Sequence, residues 1–391
     1  MPRRAVSRHT RCSVVGKQFA GRFVGTLARR RRSRARVVAI SAALAVAMGF
    51  SPGATASTRL ISTRQPMSWT VSKSTLSFEK IVCPTDRVCF AIGPGDRVAE
   101  SSNGTKSWIA PKLNVSIVAT LDIACPSASS CIVPADAGVL GKSPQPPRFL
   151  VSHNGAKSWM LVTPPKDVTG LGAISCPDVK HCLAVATTTS NTGEMLASQD
   201  GGLSWVSASH FSAPGFSQLY CRSASWCLRA SGGYSDSGPI REITSITTNE
   251  GRTFSGSSTL ASAEQINSIA CSHLRNCIAV GSTFTQGTPG PDEGAAYAST
   301  NSGRSWRRIA LPRSVATVSA TACTGASRCV AAAVGFGSSA PTSSFGMLLG
   351  STDAGATWSV STQGTDVPSA TVACIPSGKC VAGGFDLVAS T

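Results

Sequence analysis

The chain is poor in charge, in aromatic rings and in histidine. Of its 391 residues only 14% are Asp, Glu, Lys or Arg and 6% are aromatic, with three tyrosines and five histidines. With 42% apolar residues the chain is too hydrophobic to stay disordered. It has no Gly-rich phosphate loop opening a helix, no nucleophile elbow and no zincin helix, so no cofactor is expected. Glu, Lys and Leu are too few for a helical solenoid. Acidic residues are missing altogether from residues 1–56, which hold 11 arginines and Lys17. Without that segment the formal charge of +17 falls to 24 basic against 19 acidic residues, so charge does not point to nucleic acid.

The leading segment reads as an address. A basic stretch ending Arg29-Arg30-Arg31-Arg32-Ser33-Arg34-Ala35-Arg36 is followed by an apolar run, Val37 to Phe50, and then by Ala54-Thr55-Ala56. The run has 14 residues, about 21 Å as a helix, which is short of the ~30 Å hydrocarbon core. Residues 1–56 are therefore expected to be a signal peptide cleaved after the A-x-A site, by the general secretory route, and the protein to be secreted. Contact with a membrane would then be transient.

What is abundant is cysteine. After Cys12, which falls in the signal, the remaining 14 form the pairs Cys83/Cys89, Cys125/Cys131, Cys176/Cys182, Cys221/Cys227, Cys271/Cys277, Cys323/Cys329 and Cys374/Cys380. Every pair encloses five residues, and first cysteines recur every 42 to 52 residues, so the chain is an array of seven units. An apolar residue stands two before the first cysteine (Ile81, Ile123, Ile174, Leu219, Ile269, Val372), with Thr321 the exception. Turn residues lie between the cysteines and apolar runs such as Leu183-Ala184-Val185 follow them, the pattern of a β-hairpin stapled by its own disulfide. Seven disulfides suit an exported protein. Zinc would need four converging ligands, whereas each unit offers two, and His153, His181, His210 and His273 are scattered; no metal is expected.

A second motif recurs between the cysteine pairs. Ser198-Gln199-Asp200-Gly201-Gly202-Leu203-Ser204-Trp205 and Ser351-Thr352-Asp353-Ala354-Gly355-Ala356-Thr357-Trp358 are its fullest copies. Asn249 and Asn301 replace the aspartate in two others, and the copies around Asn103 and Asn154 carry the glycine one place earlier. The form S-x-[DN]-x-G-x-[ST]-W resembles the Asp-box, or BNR repeat, of sialidase-like β-propellers. A short acceptor side chain bonding its own turn, a glycine at positive φ and an aromatic opening the next strand account for the spacing. The aspartates are thus turn residues and the tryptophans core, with Trp226 outside the scheme.

The aromatic positions Trp69, Trp108, Trp159, Trp205, Phe254, Trp306 and Trp358 number seven. Trp69 lacks a box before it, and the C-terminal stretch from Phe385 ends where a box should begin. The N-terminal strand is therefore expected to complete the last blade. Residues 57–391 should form a single all-β, seven-bladed propeller of four-stranded antiparallel blades, each with one disulfide, closed into a ring that leaves no long open edge.

Cysteine hairpins and boxes should share one face of that ring. The opposite face carries the most variable connections, around 134–148, 231–242, 282–295 and 335–346, with Lys142, Arg148, Tyr234, Asp236, Arg241, Phe284, Asp292 and Glu293 as candidate binding residues. The resemblance to bacterial BNR-repeat and photosystem II assembly-factor-like propellers implies a monomeric, non-catalytic binding or scaffold protein with a protein, glycan or cell-envelope partner. The alternative is a sialidase-type glycoside hydrolase. That family uses an arginine triad, a tyrosine nucleophile helped by glutamate and an acidic proton donor. Its early Arg-Ile-Pro motif is absent here, with Arg308-Ile309-Ala310 a late near miss, and only Tyr220, Tyr234 and Tyr297 could be the nucleophile.

Overall fold

A computed structural model describes residues 67–94, 97–115, 119–120, 122–136, 146–211, 217–233, 241–262, 264–272, 275–283, 293–337, 340–385 and 387–391. The chain separates into a leading unit ending at Ile61 and a body beginning at Ser62. All described residues belong to the body, so the proposed signal lies outside them.

The body is all β, with seven antiparallel sheets and no helix among the described residues. Blade 3 shows the plan: Val168–Ser175, Cys182–Thr188, Gly193–Ser198 and Val206–Phe211 pair in chain order. Blades 2, 4, 5 and 6 repeat it over residues 119–162, 217–262, 264–308 and 315–364. Blade 7 takes three strands from the C-terminus, and Thr70–Lys73 pairs with Leu387–Ser390 as its fourth. The closure expected from the incomplete repeats at the two ends is therefore present. Blade 1 departs from the plan. Lys80–Val82, Cys89–Gly93 and Arg97–Ser101 form a three-stranded sheet, and the fourth position holds only the bridge of Ile109 to Glu100. In that register the next hydrogen-bonded residue is Pro111, which has no N–H to donate.

All seven cysteine pairs are bonded locally, at a sequence separation of 6 and Cα–Cα distances of 4.0–4.1 Å. The simple picture of a clasp joining two paired strands holds in four blades and needs correcting in three. In blades 4 to 7 the half-cystines are direct cross-strand partners: Cys221 with Cys227, Cys271 with Cys277, Cys323 with Cys329 and Cys374 with Cys380. In blades 1 to 3 only the second member, Cys89, Cys131 or Cys182, belongs to a strand, and it opens that strand. Cys83, Cys125 and Cys176 stand just outside the ladder. Their bonds therefore clasp the mouth of the turn rather than a paired position. Pro84, Pro126 and Pro177 follow these three cysteines, and a proline holds the residue before it out of a continuing turn while offering no N–H to a ladder.

The core lies between blades. Ile132, Phe149 and Val151 of blade 2 pack on Ala184, Leu196 and Trp205 of blade 3, with the Phe149 and Trp205 rings stacked at 4.1 Å. Each fully buried large side chain of this kind contributes roughly 1.5–3 kcal/mol.

The box turns share one hydrogen-bond plan. In blade 3, Ser198 Oγ donates to Asp200 Oδ1 (2.9 Å) and accepts from Gly202 N–H (2.9 Å), while Asp200 also accepts from Ser204 N–H (2.9 Å) and Ser204 Oγ (2.5 Å). Where asparagine stands instead, the last bond reverses: Asn103 Nδ2 donates to Ser107 Oγ at 2.7 Å. Burial alone would raise the Asp200 carboxyl, but the donors from Ser204 and Ser198 hold it below the usual range. Asp353 behaves likewise, with Thr357 and Ser351 as donors. The displaced glycine also has a physical reason. Every described turn has two successive residues at positive φ, and glycine occupies either one: Gly104-Thr105 and Gly155-Ala156 in blades 1 and 2, Glu250-Gly251, Ser302-Gly303 and Ala354-Gly355 in blades 4 to 6.

The second of these positions faces the preceding blade. A Cβ on Gly355 would lie 2.3 Å from Ile278 Cδ1, and one on Gly303 2.8 Å from Leu228 Cδ1. Thr105, a β-branched residue at φ 71°, is strained there by about 1–2 kcal/mol. Thr105→Gly is expected to stabilise the fold by about 0.5–1 kcal/mol net of the added chain entropy, and Gly355→Ala to destabilise it by more than about 2 kcal/mol. Urea denaturation of the two variants under non-reducing conditions checks both signs.

Candidate functional site

The seven innermost strands enclose a central cavity of about 1280 Å³. It reaches the cysteine face at Pro84 and Cys176, and the opposite, variable-loop face at Asn191 and Gln265. Its wall is built by a rule visible once the blades are superposed on their cysteines. The residue two before the first cysteine is apolar and buried in five blades: Ile81, Ile123, Ile174, Ile269 and Val372. The residue three before it is small or polar: Lys80, Asp122, Ala173, Gln218, Ser268, Ala320, Thr371. An innermost strand has a free edge, and several of these side chains cap the edge N–H groups of the next blade.

Thr371 Oγ1 accepts from Ile81 N–H (3.1 Å), joining the last blade to the first, and Asp122 Oδ2 accepts from Ile174 N–H (3.0 Å). Ser268 Oγ accepts from Thr321 N–H (3.2 Å). Thr321, the polar exception in the apolar series, is buried and donates its hydroxyl to Val330 O at 2.9 Å.

The two members of a disulfide stand differently to this cavity. First half-cystines such as Cys125, Cys271 and Cys374 line it at the cysteine face. Their partners Cys131, Cys277 and Cys380 are fully buried behind the wall and touch no ligand space. These second half-cystines thus belong to the frame.

The charged residues lining the cavity, among the described residues, are Glu79, Lys80, Asp122 and Glu242. Lys80 Nζ is ion-paired with Asp122. Glu242, on the third strand of blade 4, is 3% exposed; its Oε1 accepts from Ile266 N–H at 3.4 Å and its Oε2 has no hydrogen-bond partner. Burial pushes its carboxyl up to about 7, against the weaker opposing pull of the Ile266 N–H. Neutral hydrogen-bonding groups, Gln218, Gln265 and Asn267 among them, stand between apolar wall residues such as Ile123, Leu171 and Val372. Such a wall can bind an extended polar chain by its amides and place one or two charges.

Of the sequence-predicted binding residues, Lys142, Tyr234, Asp236, Phe284 and Asp292 lie outside the described residues. Arg148 and Arg241 each open a strand, Arg148–Ser152 and Arg241–Thr247, and are not loop residues. Arg148 is half-buried and its Nη1 donates to Pro147 O at 3.0 Å. Glu293 is exposed, next to the strand Gly294–Ser299, with its backbone tied to Thr283. The stretch 335–346, read as a variable loop, is largely paired strand: Gly335 opposes Phe345 and Phe336 opposes Ser344. Its Gly, Ser and Ala content imitates a loop, but backbone pairing needs no large side chain.

Of the tyrosines offered as nucleophiles, Tyr220 lines the cavity; its hydroxyl donates to Cys271 O at 3.4 Å and burial raises it above its ordinary range. Tyr297 is buried in the core between blades 4 and 5. Lys80, Asp122 and Glu242 were missed because no residue near them in the chain marks them out. Alignment of the units on their first cysteines exposes the first two.

These features define a seven-bladed all-β propeller with seven blade disulfides and a central channel whose wall mixes apolar and polar side chains. No protein-family model and no curated protein matches the chain. Solved structures match it in fold. YCF48 bound to a D1 peptide is 15% identical, with a TM-score of 0.56, over 83% of this chain and 97% of that one. The GH74 xyloglucanase of Xanthomonas campestris is 14% identical with a TM-score of 0.61, over 82% of this chain and 53% of the enzyme, so this chain spans about half the enzyme's length. U3-55K is 13% identical with a TM-score of 0.54, over 83% and 99%. At such identities the likeness is one of fold.

Proposed function

We propose that the chain is a secreted, non-catalytic binding propeller of the BNR, or Asp-box, type, exported by residues 1–56, which holds a protein partner at its variable-loop face and channel mouth. The observation that carries this reading is the channel, a cavity large enough for a ligand, with a mixed wall in which amides, hydroxyls and a few charges are set among apolar side chains. Seven disulfides fit an oxidising compartment and a frame that need not rearrange. The peptide bound to YCF48, a propeller of similar fold, supports a protein partner. The burial of Tyr220 and its commitment to Cys271 O speak against it as a sialidase nucleophile.

The test is capture of partners from native envelope and medium by the secreted, oxidised protein. Variants whose connections at 137–145, 234–240 and 284–292 are replaced by short Gly-Ser links should lose the captured protein. Retention of every partner would move the binding surface elsewhere. Robust turnover of a fluorogenic sialoside, abolished by Tyr234→Phe, would establish the hydrolase reading instead.

A further inference from the structure

Charge is distributed against the overall balance of the protein. Residues 57–391 carry 24 basic and 19 acidic side chains, yet among the described residues the channel wall has three carboxylates, Glu79, Asp122 and Glu242, against one ammonium, that of Lys80. That ammonium is already taken by Asp122, whose oxygens also accept from Ile123 N–H (2.7 Å) and Ile174 N–H (3.0 Å). Asp122 and Lys80 thus satisfy each other and brace the wall.

Among the described residues Glu242 has no such partner. A carboxylate offers about four acceptor positions, and here one long bond from Ile266 N–H uses one of them. A buried anion without a counter-charge is costly unless something pairs with it. Glu194, on the third strand of blade 3 and nearly as buried, faces His210 Nδ1 at 3.8 Å. Glu242 lines an open cavity where the described charged groups are Glu79 and the spent Lys80–Asp122 pair. On the adjoining inner strand, which opens with the acidic Glu264, Gln265 and Asn267 are neutral; on its own strand Arg241 precedes it, and Arg229 of its own blade points from the opposite face of the sheet. Of the two amides, Asn267 is committed, its Nδ2 donating to Val318 O at 3.0 Å.

We propose that the channel is a receptor for a cationic side chain, the ammonium of lysine or the guanidinium of arginine in a peptide, with Glu242 as its counter-charge and Gln218 and Gln265 as partners for the adjoining backbone. This rests on the binding reading above and names the chemistry of the partner. A concave wall of net negative charge focuses its field, so a mildly basic body can still draw a cation into the channel.

The experiment is calorimetric titration of the secreted, oxidised protein with N-acetyl tri-lysine amide at pH 6 and pH 8 in 0.15 M salt. The lysines stay charged across this range, whereas Glu242, standing near 7, must lose its proton to pair. Binding should therefore be about tenfold tighter at pH 8 than at pH 6. Glu242→Gln should weaken binding at pH 8 by about tenfold or more and abolish the pH dependence, and Nε-acetylation of the peptide should have the same effect on affinity. Glu194→Gln should change neither, and its thermal melt and that of Glu242→Gln should show an intact fold. Equal binding of the lysine and acetyl-lysine peptides, or binding unchanged by Glu242→Gln, would overturn the cation receptor. Failure of the native protein to bind tri-lysine, alongside intact capture of a protein partner, would sink this inference and leave the binding reading standing; retention of every partner in the loop-swap test, with tri-lysine bound by the native protein, would do the reverse.

Discussion

Full reduction of the seven disulfides is expected to unfold the ring at a temperature where the oxidised protein is fully native. Each bond closes a loop with a sequence separation of only 6. In the chain-entropy model a loop that short contributes about 2 kcal/mol. Seven clasps in seven different blades are far enough apart to add, so their total approaches the ~5–15 kcal/mol that holds a typical domain folded. The hydrophobic packing between blades does not vanish on reduction, since second members such as Cys131, Cys277 and Cys380 stay buried as thiols. What is lost is the restriction of the unfolded chain. Two measurements separate these contributions. A melt in a phosphine reductant should fall by more than about 15 °C from the oxidised value, whereas the paired substitution of Cys323 and Cys329 by alanine should cost only about 2 kcal/mol. A reduced protein that melts within a few degrees of the oxidised one would mean that inter-blade burial and the edge caps suffice without the clasps.

The same cysteines explain why so much of the fold could be read from the chain. A hairpin stapled at a fixed spacing is a local feature, and so is the box turn; both depend on residues within eight positions of one another. Counting them fixes the number of blades, and the unmatched Trp69 and the truncated C-terminal repeat fix the closure that pairs Thr70–Lys73 with Leu387–Ser390. The channel is different in kind. Lys80 and Asp122 are 42 residues apart and meet because adjacent blades bring equivalent positions of their inner strands together. Glu242 meets Ile266 across another blade boundary, between a third strand and an inner one. No pattern along the chain encodes such contacts, although the units aligned on their cysteines show polar residues at an otherwise apolar wall. A loop at 335–346 was expected and a strand pair is found for a related reason. The stretch from Gly335 to Gly346 is polar and rich in small residues, yet most of it pairs, since register there is held by backbone bonds and by Met347 and Leu348 further along.

Replacing Arg229 by alanine and Phe254 by tryptophan together is expected to leave stability within about 1 kcal/mol of the native protein, although either change alone is strongly destabilising. Two positions after the second cysteine, six units have a small apolar residue: Ala91, Val133, Ala184, Ala279, Ala331 and Ala382. Blade 4 has Arg229 there, and it is also the one blade whose aromatic is Phe254 where every other has tryptophan. The structure shows why the two exceptions coincide. Arg229 is 8% exposed and its guanidinium lies 4.1 Å from the centre of the Phe211 ring and 4.4 Å from that of Phe254, in the space between blades 3 and 4 that a larger aromatic would fill. Its Nε and Nη1 have no hydrogen-bond partner, and burial lowers the guanidinium to about 10. That depression corresponds to a desolvation cost on the order of 3 kcal/mol at neutral pH. Two stacked rings return about 1–2 kcal/mol each, so the charge itself is close to neutral for stability and the side chain acts mainly as a filler. Arg229→Met, which keeps most of the volume and drops the charge, should accordingly lie within about 1 kcal/mol of wild type. Arg229→Ala empties the space and should cost about 2–3 kcal/mol; Phe254→Trp overfills it and should cost about 1–3 kcal/mol. The double variant restores the pairing used in the other blades, so a double-mutant cycle by urea denaturation of the oxidised proteins should give a coupling of about 3 kcal/mol. Simple additivity of the two single effects would show that the arginine and the missing indole do not share one space.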